Sequence, residues 1–215
     1  MRDPFAGSDF SQNSQRLRAG RPAPTEPEVG SFPDGSTSDH ESVKETGTTT
    51  IGISTTDGVV IATDMRASLG GRFVSNKTVQ KVEQIHPTAA LTLVGSVGGA
   101  QSFIRGNFAR GGPFLAINPI LGGVDEEGSH VYSIDPAGGV MEDDYTVTGS
   151  GLTVAYGTLE DRYEEDMSVD EARDAAVTAI KAAAERDTGS GNGVYIAEVT
   201  GDGVEIEGHE NFEGV

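Results

Sequence analysis

The chain has 215 residues, with 34 acidic against 15 basic side chains, a net charge of −19 and no cysteine. That length supports one ordinary domain with a real core, plus an appendage. The acidic balance argues against nucleic acid or anionic membranes as partners, since both need basic patches. The absence of cysteine excludes disulfides, thiolate zinc sites and a cysteine nucleophile. Acidic residues are spread along the chain and lysine is confined to Lys44, Lys77, Lys81 and Lys181. Such a surface is either merely soluble and self-repelling or adapted to high salt, where screening suppresses the repulsion; the scarcity of lysine favours the second. The four histidines (His40, His86, His130, His209) fall in no metal-ligand spacing, so no metal site is expected. No apolar run is long enough to span a membrane and the N-terminus lacks a signal-like apolar region, which predicts a cytoplasmic protein.

In chain order, residues 1–47 come first. They are rich in Ser, Pro, Gly and charge and lack apolar periodicity, so they are expected to be a disordered leader. From Thr48 the texture changes. Residues 48–54 (TTTIGIS) and 58–64 (GVVIATD) read as strands joined by a turn at Thr56-Asp57-Gly58. Residues 88–97 and 114–123 read as further strands, with one short helix at about 99–110 between them. Residues 130–151 read as a hairpin turning at Asp135-Pro136-Ala137-Gly138. A helix over roughly 151–165 follows. A second helix starts at Ser168, where Glu171 three residues on completes a capping box, and its apolar face is Val169, Ala172, Ala176, Ile180, Ala183. Residues 193–200 and 203–208 close the chain as strands. This succession predicts an α+β layered fold with helices packed on antiparallel sheets.

The junction Gly47-Thr48-Thr49-Thr50 admits two readings. Threonine is β-branched and suits a strand start. Alternatively Thr48 is a nucleophile whose own α-amino group, freed by cutting the bond to Gly47, takes the hydroxyl proton. That amine has a reference pKa of about 7.7–8.0 against about 10.4 for lysine, so it is nearly matched to neutral pH. The second reading explains a dispensable leader that stops at a defined glycine. Asp64 and Arg66, two apart, project on one face of an extended segment. Asp64 beside Lys81 would hold an ammonium near the threonine oxygen and lower its proton affinity. Taken singly, each is an ordinary solvated charge.

Taken in order, GTTTIGI, GVVIATDMRAS, KVEQIH, GSVGGAQ, PILGGVDEEGSHVYSIDPAG, TGSGLTVAYGTLE, MSVDEA and RDTGSGNG make the chain resemble a proteasome core β subunit, closest to the halophilic archaeal type. The likeness covers nearly all of 48–215. It implies the N-terminal-nucleophile hydrolase fold, two antiparallel sheets between helix layers, and a threonine endopeptidase that needs neither cofactor nor ATP. It implies autocatalytic removal of 1–47 as a propeptide. It also implies heptameric rings with other β subunits, stacked on α-subunit rings, in whose chamber unfolded proteins are hydrolysed, with a regulatory ATPase acting indirectly. By motif, Thr48 is the nucleophile and base, Asp64 and Lys81 orient and polarise it, and Ser150, Asp187 and Ser190 form a hydrogen-bonded shell. The Gly95 N–H supplies the oxyanion hole, Leu93 and Val79 line an apolar pocket, and Arg66 is structural. Two departures stand out. Leu152 replaces a serine of that shell, and the segment around Arg105-Gly106 is too short for the two helices the family carries there. An inactive structural ring subunit or degenerate paralogue is the alternative, and a non-enzymatic acidic binding domain is a third.

Overall fold

The computed structural model describes residues 47–69, 71–95, 117–136, 138–213 and 215. The leader short of Gly47 and the expected helix at 99–110 lie outside the described residues. Strands β1 (Thr49–Ser54), β2 (Val59–Asp64), β10 (Tyr145–Gly149), β11 (Val194–Thr200) and β12 (Gly203–His209) form one sheet in the order β10-β1-β2-β11-β12. A second sheet runs β5 (Val82–His86), β6 (Ala89–Thr92), β7 (Ile120–Val124), β8 (Ser129–Ile134), β9 (Val140–Glu142), and a separate hairpin joins β3 (Ala67–Leu69) to β4 (Phe73–Asn76). All the pairings in both sheets are antiparallel. Helices α1 (Leu152–Leu159) and α2 (Val169–Arg186) cover the outer face of the first sheet. The α+β layering predicted from sequence is what the chain adopts.

The first four residues of strand β2, Val59-Val60-Ile61-Ala62, are all apolar because both faces of the strand are covered. Val60 and Ala62 pack towards the helices, whereas Val59 and Ile61 pack towards the second sheet with Val82, Ala90, Ile120 and Val131. The two sheets approach closely at glycines. A side chain on Gly52 would reach within 2.7 Å of Ile120, and one on Gly122 within 2.7 Å of Val59. On α2, Ala172, Ala175, Ala176, Ala179 and Ala183 are buried, small residues that let the helix lie close against the sheet. Burial of each large core side chain, such as Ile51, Ile61 or Ile180, stabilises the layers by roughly 1.5–3 kcal/mol.

Several expectations need correction. The first helix ends at Leu159, not near 165. The strand expected over 88–97 pairs continuously only over Ala89–Thr92, and beyond it Gly95 makes a single bridge to Ile117. The strand expected over 114–123 starts at Ile120 among its described residues, because Pro119 has no N–H to extend the ladder. Residues 130–151 are not one hairpin. Strands β8 and β9 pair with each other, but β10 crosses to the first sheet and pairs with β1. The β3–β4 hairpin and β5 were not anticipated.

Candidate active site

Thr48 sits just before β1, 2% exposed. Thr49, the first residue of β1, pairs with Gly149, which ends β10 with φ 100°. A Cβ on Gly149 would fall 2.2 Å from the Thr48 carbonyl oxygen, so glycine is required there on two counts. The turn it permits delivers Ser150 beneath Thr48. Asp64 closes β2 and lies opposite Val194 of β11. Lys81 stands in the extended segment before β5, flanked by two backbone bonds: Val79 N–H to the Met65 carbonyl and Leu93 N–H to the Lys81 carbonyl. Asp187 caps the C-terminal end of α2, and the following loop carries Ser190.

These elements converge on one hydroxyl. Lys81 Nζ donates to Thr48 Oγ1 at 2.5 Å, to Asp64 Oδ1 at 2.6 Å and to the Arg66 carbonyl at 2.5 Å. The three ammonium protons thus have three acceptors. The Thr48 hydroxyl donates to Asp64 Oδ1 at 2.7 Å. Asp64 is fully buried, yet it also receives the backbone N–H groups of Thr49, Arg66 and Gly191 at 2.9–3.0 Å. Burying an ion pair is costly unless such bonds satisfy it, and here they do. Burial pushes the Lys81 pKa below its ordinary 10.5, while the attraction of Asp64 works in the opposite direction.

A second arm approaches Thr48 from the nitrogen side. Its backbone N–H donates to Ser150 Oγ at 3.1 Å, and both Ser150 Oγ and Ser190 Oγ donate to Asp187 Oδ2 at 2.6 Å. Ser190 also bonds the hydroxyl of Thr49 at 2.7 Å. Gly151 keeps room for that pair, since a Cβ on it would lie 2.0 Å from Thr49 Oγ1. Arg66 lies past the end of β2, and its guanidinium turns to the 187–193 loop, bonding Asn192 Oδ1 at 2.9 Å and the Thr188 carbonyl at 3.1 Å. It therefore braces the loop that carries Ser190, while Asp64 faces the hydroxyl.

Of the residues singled out from sequence, Thr48, Asp64, Lys81, Ser150, Asp187 and Ser190 form this one network. Val79 and Leu93 are half-buried beside Lys81. Gly95 sits in the left-handed region at φ 98°, next to the bridge with Ile117. Leu152 opens α1 and is 41% exposed. Gly47 is buried, its backbone crossing that of Gly189 so closely that a Cβ on it would lie 2.4 Å from Gly189 Cα. Sequence reasoning missed Thr49, hidden inside the threonine run, and Ser68, which accepts a bond from the Gly47 N–H at 3.1 Å. The alternation of Asp64, Arg66 and Ser68 was the available signal for the latter.

The chain matches the family model described as proteasome subunit over residues 44–107 and 106–199. It is 66% identical over 236 residues to proteasome subunit beta 1 of Haloarcula marismortui, covering 98% of each chain. It is 64% identical over 243 residues to a proteasome subunit beta of Natrialba magadii, covering 100% of both. It is 68% identical over 219 residues to a proteasome subunit beta of Halomicrobium mukohataei, covering 89% of this chain and 92% of that one. The Natrialba alignment runs over 243 positions against the 215 residues here, so about 28 positions face no residue of this chain. The two family segments overlap at residues 106–107.

Proposed function

The chain belongs to the proteasome subunit family as a β subunit, and from that premise we propose that it is a threonine endopeptidase whose nucleophile, Thr48, becomes the first residue once residues 1–47 are removed. The observation that carries this reading is the convergence of Lys81 Nζ and Asp64 Oδ1 on Thr48 Oγ1, within 2.5 and 2.7 Å. An isolated hydroxyl is a poor nucleophile. Beside a buried ammonium, negative charge developing on its oxygen is stabilised in a water-poor site.

In the processed chain the Thr48 amine takes the hydroxyl proton as Oγ1 bonds to the substrate carbonyl carbon. The Gly95 N–H stabilises the resulting oxyanion. The amine then returns the proton to the leaving nitrogen, the peptide C–N bond breaks, and an ester on Thr48 remains. Water, deprotonated by the same amine, cleaves the ester and regenerates the hydroxyl. Ser150, held by Asp187, and Ser190 keep that nitrogen in place. Val79 and Leu93, half-buried beside Lys81, offer an apolar wall for the residue before the cut. In the uncleaved chain the Thr48 nitrogen is an amide and cannot act as base. The acceptor in contact with the hydroxyl proton is then Asp64 Oδ1, at 2.7 Å, while the Lys81 ammonium donates to the hydroxyl oxygen and supports the charge that develops there.

The proposal extends to assembly. The chain forms heptameric β rings stacked with α-subunit rings in the cytoplasm, and hydrolyses unfolded proteins delivered with the help of a regulatory ATPase. A second reading, a structural ring subunit without activity, is favoured by the roughly 28 positions of the Natrialba alignment that face no residue of this chain and by the break of the family match into two segments at 106–107. Against it stands the fully satisfied Asp64–Lys81 pair, which an inactive subunit has no reason to bury. Substitution of Thr48 tests the choice. Thr48→Ala abolishes cleavage of a hydrophobic fluorogenic peptide and leaves the leader attached, while Thr48→Ser keeps part of the activity because an oxygen nucleophile remains. Normal turnover by the alanine variant sinks the mechanism.

A further inference from the structure

Ser68 lies outside the network that touches the Thr48 hydroxyl, yet it is 1% exposed and its Oγ accepts the Gly47 N–H at 3.1 Å. We propose that Ser68 is a positioning residue for removal of the leader, and that it has no comparable part in the turnover of other peptides. The inference rests on the reading of Thr48 as a self-freed nucleophile.

Three features carry it. First, Gly47 is pinched between β3 and the loop after α2. A Cβ on it would meet Ser68 Oγ at 2.6 Å and Gly189 Cα at 2.4 Å, so the leader's last residue threads a slot that only glycine fits. Second, the peptide to be cut is held by both nitrogens that bracket its carbonyl. Gly47 N–H donates to Ser68 Oγ and Thr48 N–H donates to Ser150 Oγ at 3.1 Å. Two such anchors fix the rotation of the Gly47 carbonyl relative to Thr48 Oγ1, which is what an intramolecular attack requires. Third, the Ser68 contact exists only while Gly47 is attached. In the cut, Thr48 Oγ1 bonds to the Gly47 carbonyl carbon and the bond from that carbon to the Thr48 nitrogen breaks. The hydroxyl proton ends on that nitrogen, making it an amine. Water then splits the Gly47–Thr48 ester, releasing the leader carboxylate and the free hydroxyl. Ser150 keeps its partner nitrogen after this step, whereas Ser68 loses its own.

The test uses the full chain co-expressed with its α-subunit and full-length β partners in high salt, followed by intact mass over time. Ser68→Ala slows loss of residues 1–47 by about tenfold, the scale of one positioning hydrogen bond. Peptide hydrolysis per processed chain stays within about twofold of wild type, because the mature site has lost nothing. Ser68→Thr, which keeps the hydroxyl, processes faster than Ser68→Ala. Processing of Ser68→Ala at the wild-type rate overturns the inference, and so does an equal fall in processing and in turnover per processed chain, which would mark a general structural role. A wild-type chain that hydrolyses peptide while retaining Gly47 removes the underlying reading and this inference together, an outcome separable from either result with Ser68→Ala.

Discussion

Lys81 is 5% exposed, and every proton on its ammonium has an acceptor. Removing it leaves Asp64 buried and negative with its cation gone, a loss felt first at the Thr48 hydroxyl. Lys81→Ala is expected to fold, held by the layers around it, but to lose most peptidase activity. Lys81→Arg does not rescue, because a planar guanidinium cannot present three donors to three acceptors arranged around one nitrogen. An arginine variant with full activity would show that the lysine only balances charge. The pH profile carries the sign of the lowered pKa. Activity rises as the Thr48 amine loses its proton near its reference value of about 7.7–8.0. It falls again as Lys81 loses its own, at a pH below the ordinary 10.5 because burial disfavours the charge. Asp64 and Lys81 were legible in sequence as a carboxylate ending an apolar strand and a rare lysine further on. The bond of Ser68 to Gly47 spans 21 residues and that of Thr49 to Ser190 spans 141, and no periodicity reports on contacts of that kind.

At the scale of elements, α2 was the most readable, because its start is written in side chains. Ser168 accepts the Glu171 N–H while Glu171 Oε2 accepts the Ser168 N–H at 2.8 Å, closing the capping box. Ser168→Ala is expected to cost about 1 kcal/mol of stability, read as a lower unfolding midpoint at unchanged denaturant dependence. Because Asp187 sits at the far end of the helix, peptidase activity below the transition stays unchanged; an unchanged midpoint would mean the cap does not hold the helix. The elements that escaped sequence reasoning did so for identifiable reasons. Strand β5 buries Val82 alone and exposes the next four residues, leaving no alternation to detect. The passage from β9 to β10 crosses between sheets at Asp143-Asp144 without glycine or proline, and it is fixed by a distant bond from the Ser54 N–H to the Asp144 carbonyl at 2.7 Å. Strand β7 starts late because Pro119 breaks the ladder, and the Ile120 N–H then caps the Thr92 hydroxyl at 2.7 Å.

The whole molecule carries a charge of −19, and the named relatives come from halophilic archaea. At molar salt the Debye length is about 3 Å, against about 10 Å at 0.1 M, so neighbouring acidic surfaces in a ring repel strongly only after dilution. Ring size and peptidase activity are therefore expected to persist in molar salt and decline on dialysis to about 0.1 M. Full activity in the dilute buffer contradicts the high-salt account of the acidic surface. The break of the family match at 106–107 bears on the same assembly. Rings are expected to form poorly from this chain alone and to form with a full-length β partner, which size-exclusion chromatography in high salt distinguishes. The central claim is that the base is an amine existing only after Gly47 is gone. Intact mass of the β chain in a peptide-hydrolysing ring tests it most directly. The account predicts a chain that begins at Thr48, and an active ring whose chains still carry Gly47 would contradict it.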